Sequence, residues 1–282
     1  MKSVRVWNIV VICVFFVFFM DIGQVSAANW SDGIAKNGVE VNNLISKKVQ
    51  GKISLSGYTD QEKIKILVAK GKSQVWYDVM LKDGNFNEEI WLAQGKGMYT
   101  ISIMVNEYDR KYSYGPKFTI MNLKEVNPFL VPAKHIESHA DEIKQLAEDI
   151  INGKKTDKEK ARAIYDWVIG NIRYDYEKYA LHKDKQYDNQ YGALYTLKAK
   201  KGVCYDYAAL TAALSRAAGL QAKVVKGEGK LGSYTGFHAW NEIYSSEEER
   251  WVSIDTTFGV NNEKSFFDNA DFDESHVKTE EC

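Results

Sequence analysis

Residues 201–220, KGVCYDYAALTAALSRAAGL, place a single cysteine directly before an apolar, alanine-rich run. The run and the glycine that follows it predict a helix that begins at or near Cys204 and ends at Gly219. Free N–H groups and the positive end of the helix dipole stabilise a thiolate, which is the nucleophilic form of cysteine. The same N–H groups can hold an oxyanion during acyl transfer. The segment therefore predicts a reactive thiol at a helix N-terminus.

A nucleophilic cysteine works with a general base, and histidine is the usual one. The chain has five histidines, which are His135, His139, His182, His238 and His276. His238 opens the strand-like run 238–244, and Asp255 ends the next such run, 251–255. If these runs pair as antiparallel strands across a short turn, the imidazole and the carboxylate come to the same end of the sheet. The pattern predicts that Asp255 orients His238, with Cys204 packed across from them.

The N-terminal part of the chain follows a different period. Residues 49–122 alternate apolar and polar side chains, as at Val75, Tyr77 and Val79, with glycine-rich turn signals between the runs. This pattern is typical of half-buried antiparallel strands. Six or seven such strands predict a small immunoglobulin-like β-sandwich, although its usual cysteine pair is absent from this stretch of sequence. The mainly polar residues 28–48 are interpreted as a lead-in linker.

After residue 122 the period changes to that of helices. Ile143 to Ile151 has one apolar helical face, with Ser138 as its expected cap, and Thr156 with Glu159 forms a capping box for a second helix. A polar loop is expected up to about Gln190. Strand-like runs follow the cysteine helix at 222–228, 237–244 and 251–255. Helices first and strands after predict an α+β domain over 123–282.

The composition excludes several classes of protein. The 282 residues are 45% hydrophobic and 27% charged, which excludes wholesale disorder. The net charge of −1 offers no footprint for a nucleic acid, so none is expected as a partner. Three cysteines are too few for a disulfide scaffold or a four-cysteine zinc ribbon.

The first residues have the order of a secretory signal peptide. Lys2 and Arg5 precede the twelve apolar residues 9–20, and Val25-Ser26-Ala27 supplies small residues for cleavage. Twelve apolar residues are short for a membrane span, which needs about 20. We expect residues 1–27 to be removed and the protein to act outside the cell, in contact with the membrane only before cleavage. An uncleaved anchor is the alternative.

Three motifs in order resemble the transglutaminase-like superfamily. They are Lys201-Gly202-Val203-Cys204, Phe237-His238-Ala239-Trp240-Asn241-Glu242 and Trp251-Val252-Ser253-Ile254-Asp255. The resemblance runs from about 130 to 260 and implies papain-like chemistry without an organic cofactor; we also expect no metal. It implies that Cys204 is the nucleophile, His238 the general base and acid, and Asp255 the group that orients it.

The resemblance implies an acyl-enzyme thioester that passes its acyl group to an amine or to water. The expected partner is a protein or peptide substrate, including cell-wall or surface peptides. A cysteine peptidase or amidase and a non-catalytic surface-binding protein that retains the fold are the alternatives. Beside the Cys204 N–H, the second oxyanion donor or substrate contact is sought among Gln190, Tyr191, Tyr205 and Trp240.

Non-catalytic roles for the same residues stay open. Cys204 could be an inert buried cysteine or could bridge to Cys282, the last residue of the chain. His238 could be a core histidine, and Asp255 could simply begin a turn. The acidic residues from Asp268 to Glu274 are interpreted as part of a solvated tail.

Overall fold

The computed structural model describes residues 34–42, 47–187, 190–260 and 265–281. The predicted signal peptide and the residues Cys13 and Cys282 lie outside these ranges. Among the described residues, no helix is long and apolar enough to cross a membrane.

The N-terminal region is made of strands in two sheets. Its strands are β1 (Ile34–Lys36), β2 (Val39–Val41), β3 (Lys48–Val49), β4 (Lys52–Thr59), β5 (Ile64–Lys70), β6 (Ser73–Asp78), β7 (Asn85–Trp91), β8 (Gly97–Tyr108) and β9 (Lys111–Asn122). One sheet has the order β1-β2-β4-β7, and the other has the order β3-β9-β8-β5-β6. The alternating apolar residues of both sheets, such as Leu55, Ile66 and Ile101, form one hydrophobic cluster. The predicted β-rich region is therefore present, whereas its immunoglobulin-like topology stays a prediction.

Part of the predicted lead-in linker belongs to this region instead. Residues 34–41 form the hairpin of β1 and β2, and β2 pairs with β4 in antiparallel register. Val39 and Val41 are buried in the cluster, which explains why this short, otherwise polar stretch is ordered as strand. Two apolar residues at period two were too weak a signal to predict a strand.

The second region combines helices with a four-stranded sheet. Its elements are α1 (Asp141–Ile151), α2 (Asp157–Asn171), β10 (Arg173–Tyr174), α3 (Tyr176–Lys183), α4 (Ala193–Ala199), β11 (Lys201–Gly202), α5 (Cys204–Ala217), β12 (Ala222–Leu231), β13 (Tyr234–Ser245), β14 (Arg250–Ile254), α6 (Thr256–Gly259), α7 (Phe272–Ser275) and β15 (His276–Glu281). The sheet has the order β14-β13-β12-β15. All residues of α5 from Asp206 to Arg216 are buried, since α1, α2 and α4 contact it and β12 and β13 lie against it. This mixed α and β content agrees with the α+β prediction.

Local signals in this region had different outcomes. The capping box is present, because the Thr156 side chain accepts from the Glu159 N–H and Glu159 accepts from the Thr156 N–H. The predicted cap of α1 is wrong, because Ala140 is the N-cap and no side chain bonds there. The loop expected before Gln190 contains α3, whose N-cap is Asp175.

The C-terminal segment is also ordered, in contrast to the solvated tail that was expected. β15 pairs antiparallel with β12, and its first residue, His276, is buried. Phe272 of α7 is buried against Val225 and Trp240 of the sheet. The acidic side chains between these residues hid the apolar anchors from the sequence analysis.

Candidate active site

Cys204 is the first residue of α5 and is a free, partly exposed thiol. Val203 before it is the N-cap and has an extended backbone with φ −96° and ψ 178°. The helix therefore begins at the cysteine, as the sequence predicted. The alternative bridge to Cys282 involves a residue outside the described ranges.

The turn before Cys204 is held by a buried ion pair. The Asp206 carboxylate accepts from the Val203 N–H at 3.0 Å and from Lys178 Nζ at 2.7 Å. Both charged side chains are nearly inaccessible to water, with exposures of 0% for Asp206 and 4% for Lys178. Lys178 Nζ also donates to the Gln190 carbonyl at 2.5 Å. The ion pair therefore fixes the cysteine turn against the segment that carries Gln190.

Gly202 is required by this arrangement. A Cβ at this position would lie 2.5 Å from the Cβ of Asp206, closer than carbon atoms pack. The glycine thus lets the Asp206 carboxylate fold back under the turn. Neither Asp206 nor Lys178 was predicted from the sequence.

His238 and Asp255 meet as the strand pattern predicted. β13 and β14 are antiparallel and are joined at the turn that pairs Ser245 with Arg250. His238 Nε2 lies 2.7 Å from Asp255 Oδ2, and both side chains are buried. The imidazole stacks on Phe258 with a centroid distance of 4.0 Å and an interplanar angle of 15°.

Asp255 also caps the short helix that follows it. Its Oδ1 accepts from the N–H groups of Thr257 at 2.8 Å and Phe258 at 3.0 Å. Asp255 therefore begins a turn, which was its alternative role, and also contacts His238 with its other oxygen, Oδ2.

The electrostatics of the site favour a charged His238. Burial lowers the pKa of His238, but the carboxylate of Asp255 and a hydrogen bond with Cys204 outweigh it and raise the pKa from 6.5 to about 10. Burial acts to raise the pKa of Asp255, whereas His238 and then His276 hold it well below its usual range. His238 is therefore an imidazolium at neutral pH between a carboxylate and the Cys204 thiol. A neighbouring cation and a helix N-terminus are the two features that stabilise thiolates in proteins.

A third side chain, His276, joins this cluster. Its Nε2 lies 3.0 Å from Asp255 Oδ2, the same oxygen that contacts His238. Sequence reasoning listed His276 among the histidines but assigned it no role. The only local signal was Phe272 ahead of a short alternating run, which the acidic neighbours obscured.

His238, Asp255 and His276 are also residue types that bind zinc, and their ligand atoms all lie within 4.8 Å of one another. The separations of 2.7 and 3.0 Å around Asp255 Oδ2 are those of hydrogen bonds. A metal ion would have to displace the ring protons and open these contacts. The geometry is therefore that of a hydrogen-bonded cluster.

The four candidates for the second oxyanion donor or substrate contact lie in different parts of the region. Trp240 is buried and lies against His276, with ring centroids 4.9 Å apart, so it is a wall of the cluster. The Tyr191 hydroxyl lies 2.7 Å from His182 Nε2, and that of Tyr205 lies 3.2 Å from His135 Nδ1. Gln190 is exposed and contributes its carbonyl to Lys178. None of these contacts directs a donor at Cys204, and the second oxyanion donor stays a prediction.

Two tyrosines lie beside the thiol instead. Burial raises the pKa of Tyr174, and the charge of Cys204 raises it further. The same two causes raise the pKa of Tyr234 to about 12. The Tyr234 hydroxyl donates to the Phe237 carbonyl at 2.6 Å, and the Phe237 ring is 64% exposed. The cysteine therefore opens onto an aromatic surface.

Comparison with known proteins supports this picture of the second region. Residues 144–256 match the family described as the transglutaminase-like superfamily. Kyphoscoliosis peptidase of Mus musculus is 34% identical over 125 residues, which are 42% of this chain and 18% of the peptidase. The chain thus spans less than a fifth of the length of that curated relative.

Two solved structures are also similar. A provisionally assigned cysteine protease from Cytophaga hutchinsonii has a TM-score of 0.43 and 19% identity, over 82% of this chain and 79% of that one. Red sea bream transglutaminase has a TM-score of 0.34 and 12% identity, over 78% of this chain and 50% of that one. The region that matches the family contains Cys204, His238 and Asp255, whereas His276 lies beyond it. Residues 144–256 are therefore similar to the transglutaminase-like superfamily, as the three sequence motifs indicated.

Proposed function

We propose that the protein is a thiol enzyme that transfers an acyl group from an amide to an acceptor through a thioester on Cys204. The observation that carries the proposal is the buried pair of His238 Nε2 and Asp255 Oδ2, 2.7 Å apart, beside Cys204 at the start of α5. A thiol, a charged imidazole and an orienting carboxylate in series are the groups that acyl transfer by cysteine needs.

Each group has a defined step. The sulfur of Cys204 attacks the amide carbon, and the carbonyl electrons move to oxygen, beside the N–H groups at the start of α5. When the intermediate collapses, the carbon–nitrogen bond breaks and His238 gives its proton to the leaving nitrogen. Neutral His238 then takes a proton from the acceptor, which attacks the thioester, and the carbon–sulfur bond breaks to release the Cys204 thiolate beside the imidazolium. Asp255 holds the ring in position throughout.

Two acceptors suit this site. The peptidase that is 34% identical over 125 residues supports water as the acceptor and a peptide as the substrate. The transglutaminase-like superfamily that residues 144–256 match supports an amine acceptor and a cross-linked product. The aromatic surface around Tyr174, Tyr234 and Phe237 supports a protein or peptide substrate with apolar side chains near the scissile amide.

The reactivity of the thiol tests the proposal. Cys204 is alone in the tryptic peptide 202–216, so its alkylation by iodoacetamide can be followed by mass spectrometry without interference from other cysteines. At pH 6 we expect it to react about tenfold faster than a model thiol, whose pKa is about 8.5. His238→Ala should remove this advantage, whereas the control His139→Ala, at an exposed histidine, should retain it. A slow Cys204 in the unsubstituted protein would exclude the enzyme and favour a surface-binding protein.

The acceptor is identified separately. Incubation of the intact protein with casein and a fluorescent primary amine should give either amine incorporation with ammonia release or new N-termini. The first result identifies cross-linking and the second identifies proteolysis. Cys204→Ala is the control that should abolish both.

We also propose that the protein is secreted and acts at a surface. The order of basic, apolar and small residues in 1–27 supports export, and the β-rich region 34–122 is a suitable module for holding the enzyme on a wall or substrate. N-terminal sequencing of the exported protein should begin at Ala28. Retention of the Cys204→Ala protein on isolated cell walls tests the second point, and its full recovery in the wash would contradict it.

A further inference from the structure

His276 and His238 reach Asp255 from the two strands that flank β12. His238 of β13 lies opposite Gly227, and His276 of β15 lies opposite Gly229. A Cβ on Gly229 would lie 2.7 Å from the Cβ of His238, so the glycine leaves the space that the ring needs. The two imidazole centroids are 5.7 Å apart across this gap. The sheet is therefore built to bring both rings to one carboxylate.

The Asp255 carboxylate can accept no further hydrogen bond when both imidazole rings are bound to it. Its Oδ1 accepts from two backbone N–H groups of α6, and its Oδ2 accepts from His238 and His276. A carboxylate offers about four lone-pair sites, so each site has a partner. Asp255 is fully buried, and water cannot replace a lost donor at that position.

His276 is itself held rigidly. Its ring stacks on Phe272 with a centroid distance of 3.9 Å and an interplanar angle of 13°. Its Nδ1 lies 3.1 Å from the Phe272 carbonyl and 2.9 Å from Ser275 Oγ. Every one of these contacts comes from the C-terminal segment that carries His276. The segment therefore delivers a fixed N–H donor to Asp255.

We propose that His276 is a positioning residue that fixes Asp255 Oδ2 and shares its charge, so that Asp255 holds the His238 proton less tightly. A carboxylate that donates its electron density to two N–H groups is a weaker partner for each. His238 must release its proton to the leaving nitrogen, and a general acid does so best when its pKa lies near the working pH. The inference rests on the proposed function and extends the active site to the C-terminal strand, outside the region that matches the family.

Other titratable groups face the same pair and have to be considered. They are Cys204 from α5, Tyr234 from β13 and Tyr165 from α2. Burial raises the pKa of both tyrosines, which therefore stay neutral through the range in which imidazoles titrate. Beside His238, His276 is the titratable group that has a hydrogen bond to Asp255 Oδ2.

The test compares His276→Phe with His276→Gln in the intact protein. Phenylalanine keeps an aromatic ring against Phe272 and removes the donor, whereas the glutamine amide places an N–H near the original Nε2. His139→Gln, at an exposed histidine, is the control. The readouts are the titration of the His238 ring by ¹⁵N-histidine NMR and the ratio of iodoacetate to iodoacetamide alkylation of Cys204, which a neighbouring imidazolium raises.

We expect His276→Phe to raise the pH at which His238 loses its proton by about one unit, because a hydrogen bond to a charged group is lost. His276→Gln should restore most of the original value. Equal titrations in both variants and the original protein, or a downward shift in His276→Phe, would overturn the proposal. If His276→Phe does not fold, the NMR tautomer of His276 decides, because an unprotonated Nε2 at pH 7 overturns it. A Cys204 of ordinary reactivity would refute the proposed function alone, since the His238 titration still tests His276.

Discussion

Asp255→Asn tests the charge balance of the site through stability. Asparagine has the shape of aspartate, and its oxygen can still accept from the Thr257 and Phe258 N–H groups. Its amide nitrogen, however, faces the two imidazole nitrogens that donate to the carboxylate. His238 then loses its counter-charge and experiences burial, which lowers its pKa.

The size of the effect depends on pH in a defined direction. The pKa of His238 is raised from 6.5 to about 10 in the folded protein, so its stabilisation is complete below pH 6.5 and is lost as the pH rises through about 10. Each pKa unit corresponds to about 1.4 kcal/mol of folding free energy. The rise in the pKa of His238 from 6.5 to about 10 therefore corresponds to roughly 5 kcal/mol. Breaking a buried ion pair costs about 3–5 kcal/mol, in agreement with this range.

Calorimetry between pH 6 and 10.5 measures the loss of stability in Asp255→Asn. One kcal/mol shifts the melting temperature by about 2–4 °C in a domain of this size. Asp255→Asn should therefore melt about 10 °C lower at pH 6, with the deficit shrinking as the pH approaches 10.5. The exposed Asp273→Asn is the matched control and should follow the original protein. A deficit of equal size at both ends of the range would refute the ion pair as its cause and assign it to packing or neutral hydrogen bonds.

Two further substitutions test the supports of the site. Lys178→Met leaves the buried Asp206 charge unpaired and should lower the free energy of unfolding, measured in urea, by about 3–5 kcal/mol. Adding Asp206→Asn should restore part of this stability. If it restores none, the unpaired charge is not the cause of the loss. Gly229→Ala places a Cβ 2.7 Å from the His238 Cβ and should slow Cys204 alkylation about tenfold or more. Gly170→Ala, where nothing lies within 4 Å, is its control and should keep the rate while adding about 1 kcal/mol of helix stability; equal rates in the two glycine variants would show that the gap at Gly229 is not needed.

Much of the fold could be predicted from local patterns. The period-two residues of 49–122 do form strands, and the capping box at Thr156 does begin α2. The helix at Cys204 and the antiparallel pair that brings His238 to Asp255 are confirmed as structure. Their catalytic roles stay proposals until the thiol is measured.

The elements that were missed share a physical cause. β1 and β2 are three residues each, and α3 and β15 are largely polar, so their own sequences have little preference to signal. They are ordered by what they dock against. Val39 and Val41 are buried in the hydrophobic cluster of the N-terminal region, and His276 is held between Phe272 and Asp255.

The sequence by itself determined the features that depend on near neighbours. A cysteine before an apolar run must start its helix at the thiol, and two strand-like runs joined by a short turn must bring their ends together. Only the tertiary structure decided how three such pieces meet. Asp206 finds Lys178 from 28 residues away, and His276 finds Asp255 from 21 residues away. Such contacts depend on the summed packing of α5 against the sheet, which no local pattern encodes, and they are the contacts that place charge around Cys204.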